Sequence, residues 1–454
     1  MKLKLTLFLL SVCLLFSACG RESASFPDNS SASSEWQGTP NAVESETQPE
    51  MQMAMPAGSL PMIAGNNEGA YYIWANGQDP SGLTLYYDYA SRQLIHLSNQ
   101  VLPTNDEENP GWIADIFGGA APIAVNGKFY VLKYGKAPLP KIQYEGSPSI
   151  LLEMEPNAAN RKRLTLPSGM LFKSYSGIAA DGTDLYLLLA SFDSSALQIT
   201  EASLCRTDFD EGKINTLYDF DIQKKDVAII GVYAQGLILQ RSSFPSEYSN
   251  ADITEQIEHL SYQIQLYSVV DNSLFDTDFC WDQGDLSFVL DGSTVYFVRS
   301  GETTLRKYDL LNATETVVTE NILQGTDSVQ ADGVILMGEI YDNHFQFVVE
   351  GQETSEYYSY NISDGTVLPL KLFYPYMGAE LQVTIVSENE EYFLVNNGMK
   401  TLQRAASGTD GTFYTMDSNE RQYALIKKDD YWNSLPHYLE FNDSLLEELA
   451  ASGR

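Results

Sequence analysis

Short apolar runs, each set off by Gly, Asp or Asn, recur along most of the chain. The clearest copy spans Asp291 to Asp309. Asp291-Gly292 supplies the positive φ of a tight hairpin. Val295, Phe297 and Arg299 then alternate against Tyr296 and Val298, as in a pleated strand covered on both faces. A second turn leads to a second strand, Leu305 to Asp309. Equivalent turns stand at Glu68-Gly69, Asn126-Gly127, Asp181-Gly182, Gln235-Gly236, Asp342-Asn343 and Asn389-Glu390, each followed by an aliphatic or aromatic run. Positions 69, 127, 182, 236, 292, 343 and 390 lie 58, 55, 54, 56, 51 and 47 residues apart. A period this regular points to a repeat architecture.

The second half of each unit recurs too. A strand closes on Asp, Asn or Glu (Leu85–Asp88, Leu152–Glu155, Leu204–Asp208, Leu266–Asp271, Leu305–Asp309, Tyr357–Asn361, Phe413–Asp417). A further strand follows (Gln93–Leu97, Arg161–Leu166, Lys213–Phe220, Ser273–Phe279, Glu315–Val318, Val367–Leu372, Gln422–Lys427). With the strand before each first turn, every unit has four, A to D. Seven such units predict an all-β fold, a seven-bladed β-propeller, whose radial closure leaves few bare sheet edges. Six or eight blades are the alternatives, because the middle of unit seven, Asn396–Gly408, is irregular. A pair of β-sandwiches is the competing architecture. The run Asp-Gly…Tyr-Phe…Leu-Arg-Lys-Tyr-Asp of unit five resembles the repeats of TolB-type and related bacterial envelope propellers. That resemblance covers about residues 60–430. Two segments read as short helices instead, Asp252–Leu260 and Asn442–Ala451.

The chain ahead of the repeats has a different character. Lys2 and Lys4 precede an apolar run, Leu5 to Phe16, too short to span a bilayer. It ends in Phe16-Ser17-Ala18-Cys19-Gly20, which resembles the lipobox of bacterial lipoproteins. The resemblance implies a signal peptide over 1–18, lipidation of Cys19, and tethering of the protein to the outer face of a membrane, outside the cytoplasm. Residues 19–58 are rich in Ser, Glu, Pro, Thr and Gln and read as a disordered stalk. Within it, Met51-Gln-Met-Ala-Met either packs on the domain or lies idle. The propeller is then expected over 59–441, with a helical tail over 442–454.

Charge narrows the partners. There are 61 acidic residues against 27 basic, for a net charge of −34. Such a balance excludes a nucleic-acid partner, which needs Lys and Arg on its phosphates, and disfavours adhesion to anionic lipid heads. Cys205 and Cys280 match no metal or redox spacing and read as two buried thiols, so disulfides do not build the fold.

In a propeller the B–C and D–A connections share one face. The long connections Ser98–Ala121, Tyr134–Pro148, Arg241–Tyr262 and Asn396–Asp410 all belong to it. Long loops on a rigid scaffold are where function concentrates. The candidate binding residues on this face are Trp112, Tyr134, Tyr144, Phe244, Tyr248, Trp281, Tyr374 and Tyr376. Aromatic anchors with a polar rim suit a protein or a glycan; loop-pinning is the other use of such rings. The four histidines, His96, His259, His344 and His437, have no second ligand at metal spacing, so no metal and no cofactor are expected. Asp208-Phe-Asp210-Glu-Gly212 lacks the distal ligand of a calcium loop and reads as a turn. No nucleophile elbow or phosphate loop occurs. The expected role is a binding or scaffolding module for an envelope protein or glycan. The alternative is a glycan hydrolase or lyase with carboxylates at the central channel.

Overall fold

The computed structural model describes residues 51–452 except 59–60, 76–80, 98–108, 115, 117–118, 137–146, 168, 174, 194–197, 222–224, 235, 249–252, 325, 327–332, 352–354 and 408–411. Seven antiparallel sheets follow one another along the chain. Their strands, in order A to D, are Ile63–Gly65, Gly69–Ala75, Gly82–Asp88 and Gln93–His96 in blade one. Blade two has Ala120–Val125, Lys128–Lys133, Ile150–Met154 and Lys162–Thr165. Blade three has Ile178–Ala180, Leu185–Asp193, Gln198–Asp208 and Lys213–Asp221, with Met170–Phe172 also on its second strand. Blade four has Lys225–Tyr233, Gly236–Ser243, Ser261–Ser268 and Ser273–Asp282. Blade five has Leu286–Asp291, Thr294–Arg299, Leu305–Asp309 and Thr314–Thr319. Blade six has Gly333–Tyr341, His344–Glu350, Ser355–Asn361 and Val367–Pro369. Blade seven has Thr384–Glu388, Tyr392–Ser407, Phe413–Lys427 and Leu439–Glu440. The protein is a seven-bladed β-propeller.

The A–B turns fall where the repeat put them. Asn126-Gly127 and Asp342-Asn343 carry two successive positive φ values, and Gly292 sits at 52°, the backbone that tight hairpins need. The blades then pack face to face through seven apolar clusters among the described residues, one at each seam. Blades one and two meet around Tyr71 and Phe129, stacked at 4.1 Å. Blades two and three meet around Ile123, Leu187 and Cys205. The next seams gather Leu204 with Leu239, Tyr233 with Phe297, and Val298 with Phe347. Blades six and seven share Phe393, Tyr431 and Trp432, the last two from the short helix Lys428–Trp432. Blades seven and one share Tyr87, Leu425 and Phe441.

Blade seven departs from the expected pattern. Phe413–Asp417 and Gln422–Lys427 are not two strands but parts of one, Phe413–Lys427. The Asp417-Ser-Asn-Glu420 stretch between them resembles a turn but is paired: Ser418 lies opposite Leu402 and Asn419 opposite Thr401. The irregular middle of the unit is therefore a long two-stranded arm, and the fourth strand is Leu439–Glu440. The terminal helix Ser444–Ser452 docks, burying Leu446, Leu449 and Ala450 at the seam of blades seven and one. Asn442 joins the same seam, accepting from the Leu94 amide at 3.0 Å and donating to the Arg92 carbonyl at 2.9 Å.

The N-terminal boundary also moves. Residues 51–55 are not stalk. Gln52–Met55 forms an axial strand that pairs antiparallel with Ile178–Ala180, the innermost strand of blade three, and lies against the inner strands of blades two and four. Met55 enters the core between blades two and three, and Met51 that between blades three and four. Gly177 lies beneath the strand. A Cβ there would meet Met53 Cε at 2.5 Å and the Met55 carbonyl at 2.9 Å. The cysteines also differ from expectation. Cys205 is buried, and burial pushes its thiol up to about 11, whereas Cys280 is exposed because its side chain alternates outward from an outer strand.

The ring is closed where the arm meets blade one. The Arg404 guanidinium lies 3.9 Å above the Trp74 ring, donates to the Ala75 carbonyl at 2.8 Å and to Glu420 at 2.7 Å. The Tyr72 hydroxyl donates to the other Glu420 oxygen at 3.0 Å. Burial holds that phenol well above its ordinary range.

Two expectations follow for stability in urea. Met55→Ala should cost about 2–5 kcal/mol through the cavity it leaves between blades, while Gln52→Ala should cost a few tenths. Arg404→Met should cost about 2–4 kcal/mol by leaving the half-buried Glu420 without its cation. Adding Glu420→Gln should recover part of that loss. Additive losses in the double variant would show that the pair does not act as a unit.

Candidate functional site

The B–C and D–A connections share one face, and several structures rise from it among the described residues. Between blades one and two, Trp112–Ile113 adds to Gly82–Leu83. In blade four, a 3-10 turn, Ser246–Tyr248, precedes the helix Ile253–Glu258. Between blades six and seven, Phe373–Tyr376 and Ala379–Gln382 form a hairpin, which lies beside the blade-seven arm. The Asn419 side-chain amide donates to the Tyr376 hydroxyl at 3.4 Å, linking hairpin and arm.

The face does not bring the predicted aromatics together as a surface cluster. Trp281 is 9% exposed and stacks on Tyr262 at 5.3 Å, with its edge toward Phe288. Tyr374 is 8% exposed, and its hydroxyl lies 3.2 Å from the Asn396 amide. Tyr134 is half-buried against Phe172, and burial raises its phenol. Trp112 is half-buried against the seam of blades seven and one. Tyr248 is half-buried and stacks on His259 at 3.8 Å, while the Gln256 amide donates to the Tyr248 carbonyl at 3.1 Å. Phe244 and Tyr376 are half-buried, and Tyr144 lies outside the described residues. Most of these rings hold loops and seams in place.

Other side chains present the apolar surface. Met377 at the hairpin tip is 84% exposed, and Tyr414 and Met416 on the arm are 52% and 50% exposed. Phe373 and Leu381 add to the hairpin. Met377 and Gly378 occupy φ of 50° and 81°, so the turn is tight and the methionine is held outward. The alternation Phe373-Tyr-Pro-Tyr-Met377-Gly was the available signal. It could have marked a hairpin, but not which of its rings stay outside.

The histidines lie apart. His259 stacks on Tyr248, His344 stacks on Trp432 at 4.4 Å, and His437 faces Asp430 at 3.3 Å. Loss of hydration lowers His96. At the Asp208–Gly212 turn, the Glu211 amide donates to Asp208 at 2.8 Å and Lys162 pairs with Asp210 at 2.8 Å. Among the described residues, no group of three or more His, Cys, Asp or Glu could hold a metal ion. Two carboxylates stand on the innermost strands of adjacent blades. Glu339 opens onto solvent but is hemmed by protein. Lost hydration, with Glu388 as a minor contributor, holds its pKa above the ordinary range, although Tyr341 donates to it at 2.9 Å. Glu388 pairs with Lys428 at 2.8 Å.

No protein-family model and no curated protein matches the chain. Among solved structures it is similar to TolB from Acinetobacter baumannii, at 12% identity and a TM-score of 0.33, over 80% of this chain and 77% of that one. It is also similar to a putative 6-phosphogluconolactonase from Bacteroides fragilis, at 11% identity and a TM-score of 0.32, over 85% and 100%. Dipeptidyl peptidase 4 from Porphyromonas gingivalis gives 10% identity and a TM-score of 0.39, and this chain spans 52% of its length. These likenesses concern fold alone.

The position of Glu339 makes stability pH-dependent. Its folded pKa is raised, so the neutral acid is favoured by the fold, and a penalty appears as pH rises through that pKa. Glu339→Gln should raise the thermal midpoint at pH 7.5. The gain should vanish below the ordinary glutamate value of about 4.3. Equal midpoint shifts at pH 4 and pH 7.5 would contradict this origin.

Proposed function

We propose that the protein is a lipid-anchored binding or scaffolding module, held outside the cytoplasm, that engages an envelope protein through the hairpin and arm on its loop-rich face. The observation that carries the reading is the exposed apolar set Phe373, Met377, Leu381, Tyr414 and Met416 on two touching hairpins. Exposed apolar side chains on two hairpins that project from a rigid scaffold suit a protein contact. The strong acidity of the chain is compatible with that role and unfavourable for nucleic acid. Phe16-Ser17-Ala18-Cys19 supports the anchor. A glycan is the other ligand the aromatic side chains would suit. The enzyme reading draws little support from the inner carboxylates, since Glu388 is paired with Lys428 and Glu339 accepts from Tyr341.

Two measurements test the proposal. In fractionated cells, Cys19→Ser should move the protein from the membrane to the soluble fraction; retention would refute the lipid anchor. In affinity capture from solubilised envelope, Met377→Asp with Met416→Asp should lose the partners that the unaltered protein retains. Leu311→Asp, on an exposed C–D turn of the opposite face, should keep them. Loss with Leu311→Asp instead would move the contact to the other face.

A further inference from the structure

The axial strand has a direction, and the direction gives the propeller an orientation relative to its tether. Gln52 lies opposite Ala180, the last residue of the inner strand before the A–B turn of blade three. The Gln52 side-chain amide donates to Asn126, which sits in the A–B turn of blade two. Six residues on, the Gly58 amide donates to the Tyr175 carbonyl at 3.0 Å, on the segment that leads down into that inner strand from the loop-rich side. The chain therefore enters the ring at the tight-turn face, runs along the axis, and leaves at the loop-rich face to begin blade one.

The strand is firmly seated. Three ladder positions pair it to blade three, Met51 and Met55 are buried in two different seams, and the absent side chain of Gly177 makes room for it. Below it, the Gly177 amide donates to the Ile229 carbonyl at 2.9 Å, tying blades three and four together. Pulling Gln52–Met55 out would expose two methionines and bare a strand edge.

We infer that everything N-terminal to Met51 departs from the axial mouth of the tight-turn face, so that a tether at Cys19 turns this face toward the membrane and the hairpin and arm away from it. This rests on the anchor proposed above. An inverted particle would force the tether to travel out to the rim and up the full height of a blade, which costs chain entropy. The tight-turn face itself carries Glu68, Asp181, Asp184, Asp342, Glu390 and Glu391. These carboxylates repel anionic headgroups within a Debye length of about 8 Å. The near face thus stands off as a spacer instead of adhering, and the apolar hairpin is presented to partners beyond it.

The test separates orientation from native lipidation. The chain from residue 20 onward, with a hexahistidine segment in place of Cys19, is bound to vesicles containing nickel-chelating lipid and a headgroup quencher. Cys205→Ser and Cys280→Ser remove the other thiols. A fluorophore is then placed by Thr183→Cys, in the exposed A–B turn of blade three, or by Met377→Cys at the hairpin tip. The proposal expects a larger loss of fluorescence from position 183 than from position 377. Added Gly177→Val, which leaves no room for the axial strand, should shrink that difference. Equal quenching at the two positions, or stronger quenching at 377, would overturn the orientation. Release of the native protein by Cys19→Ser bears only on the anchor and leaves this readout untouched.

Discussion

A ring of blades depends on the contact between the last blade and the first. Every other seam joins blades that follow one another along the chain, so chain connectivity already holds them near. The seam of blades seven and one joins residues more than three hundred positions apart, such as Tyr72 and Glu420, and must offset the full entropy of closing that loop. Among the described residues, neither blade borrows a strand from the other end of the chain: blade seven is built from residues 384–440 and blade one from 63–96. Closure rests on side chains and on the backbone bonds that Asn442 makes to Arg92 and Leu94. Tyr72, Tyr87, Tyr423 and Phe441 pack edge to face. The Arg404 guanidinium is held between an indole and a carboxylate. The terminal helix covers the joint, and Lys400 fastens it through Asp443 at 2.8 Å and Glu447 at 2.9 Å. The Arg404 pair is poorly hydrated, which is why its charges must be satisfied together or not at all.

The same arm that closes the ring carries exposed apolar groups further along. One long hairpin therefore has two regions with opposite requirements. Its root, from Tyr392 to Arg404, is pinned by Lys400 and Arg404. Beyond it, Tyr414 and Met416 are left to solvent. A pinned root limits the conformations the outer part can take, and a surface ordered before binding loses less entropy when a partner arrives. The Phe373–Gln382 hairpin gains similar order from its contact with the arm.

Much of the architecture was legible because hairpin chemistry is local. Asn126-Gly127 and Asp342-Asn343 mark their turns by the φ values they tolerate, and the strand after each needs only an alternating pattern. The failures were of another kind. Asp417-Ser-Asn-Glu420 has the composition of a turn, and only its partners across the arm, Thr401 and Leu402, keep it extended. Met51-Gln-Met-Ala-Met has little strand character alone; the inner edge of blade three makes it one, an edge more than a hundred residues away in sequence. Burial of the candidate aromatics was equally hidden. Trp281 and Met377 are both large apolar residues beside a predicted loop, and what separates them is the seam that Tyr262 and Phe288 build around the indole.

The axial strand removes the symmetry between the two faces. A bare ring of blades has two channel mouths with comparable claims to be the working one. Here the chain itself occupies the axis beside blades two, three and four, so a ligand entering between those blades would compete with a strand already seated there. On the inner strands of blades six and seven, Glu339 and Glu388 are each already engaged, by a tyrosine and by a lysine. Both facts weigh against the channel and for the rim of the loop-rich face. The strand Gln52–Met55 enters at the tight-turn face, pairs with blade three and lies against blades two and four, so it helps hold three blades together. The hairpin and arm stand on the face opposite the mouth where that strand enters.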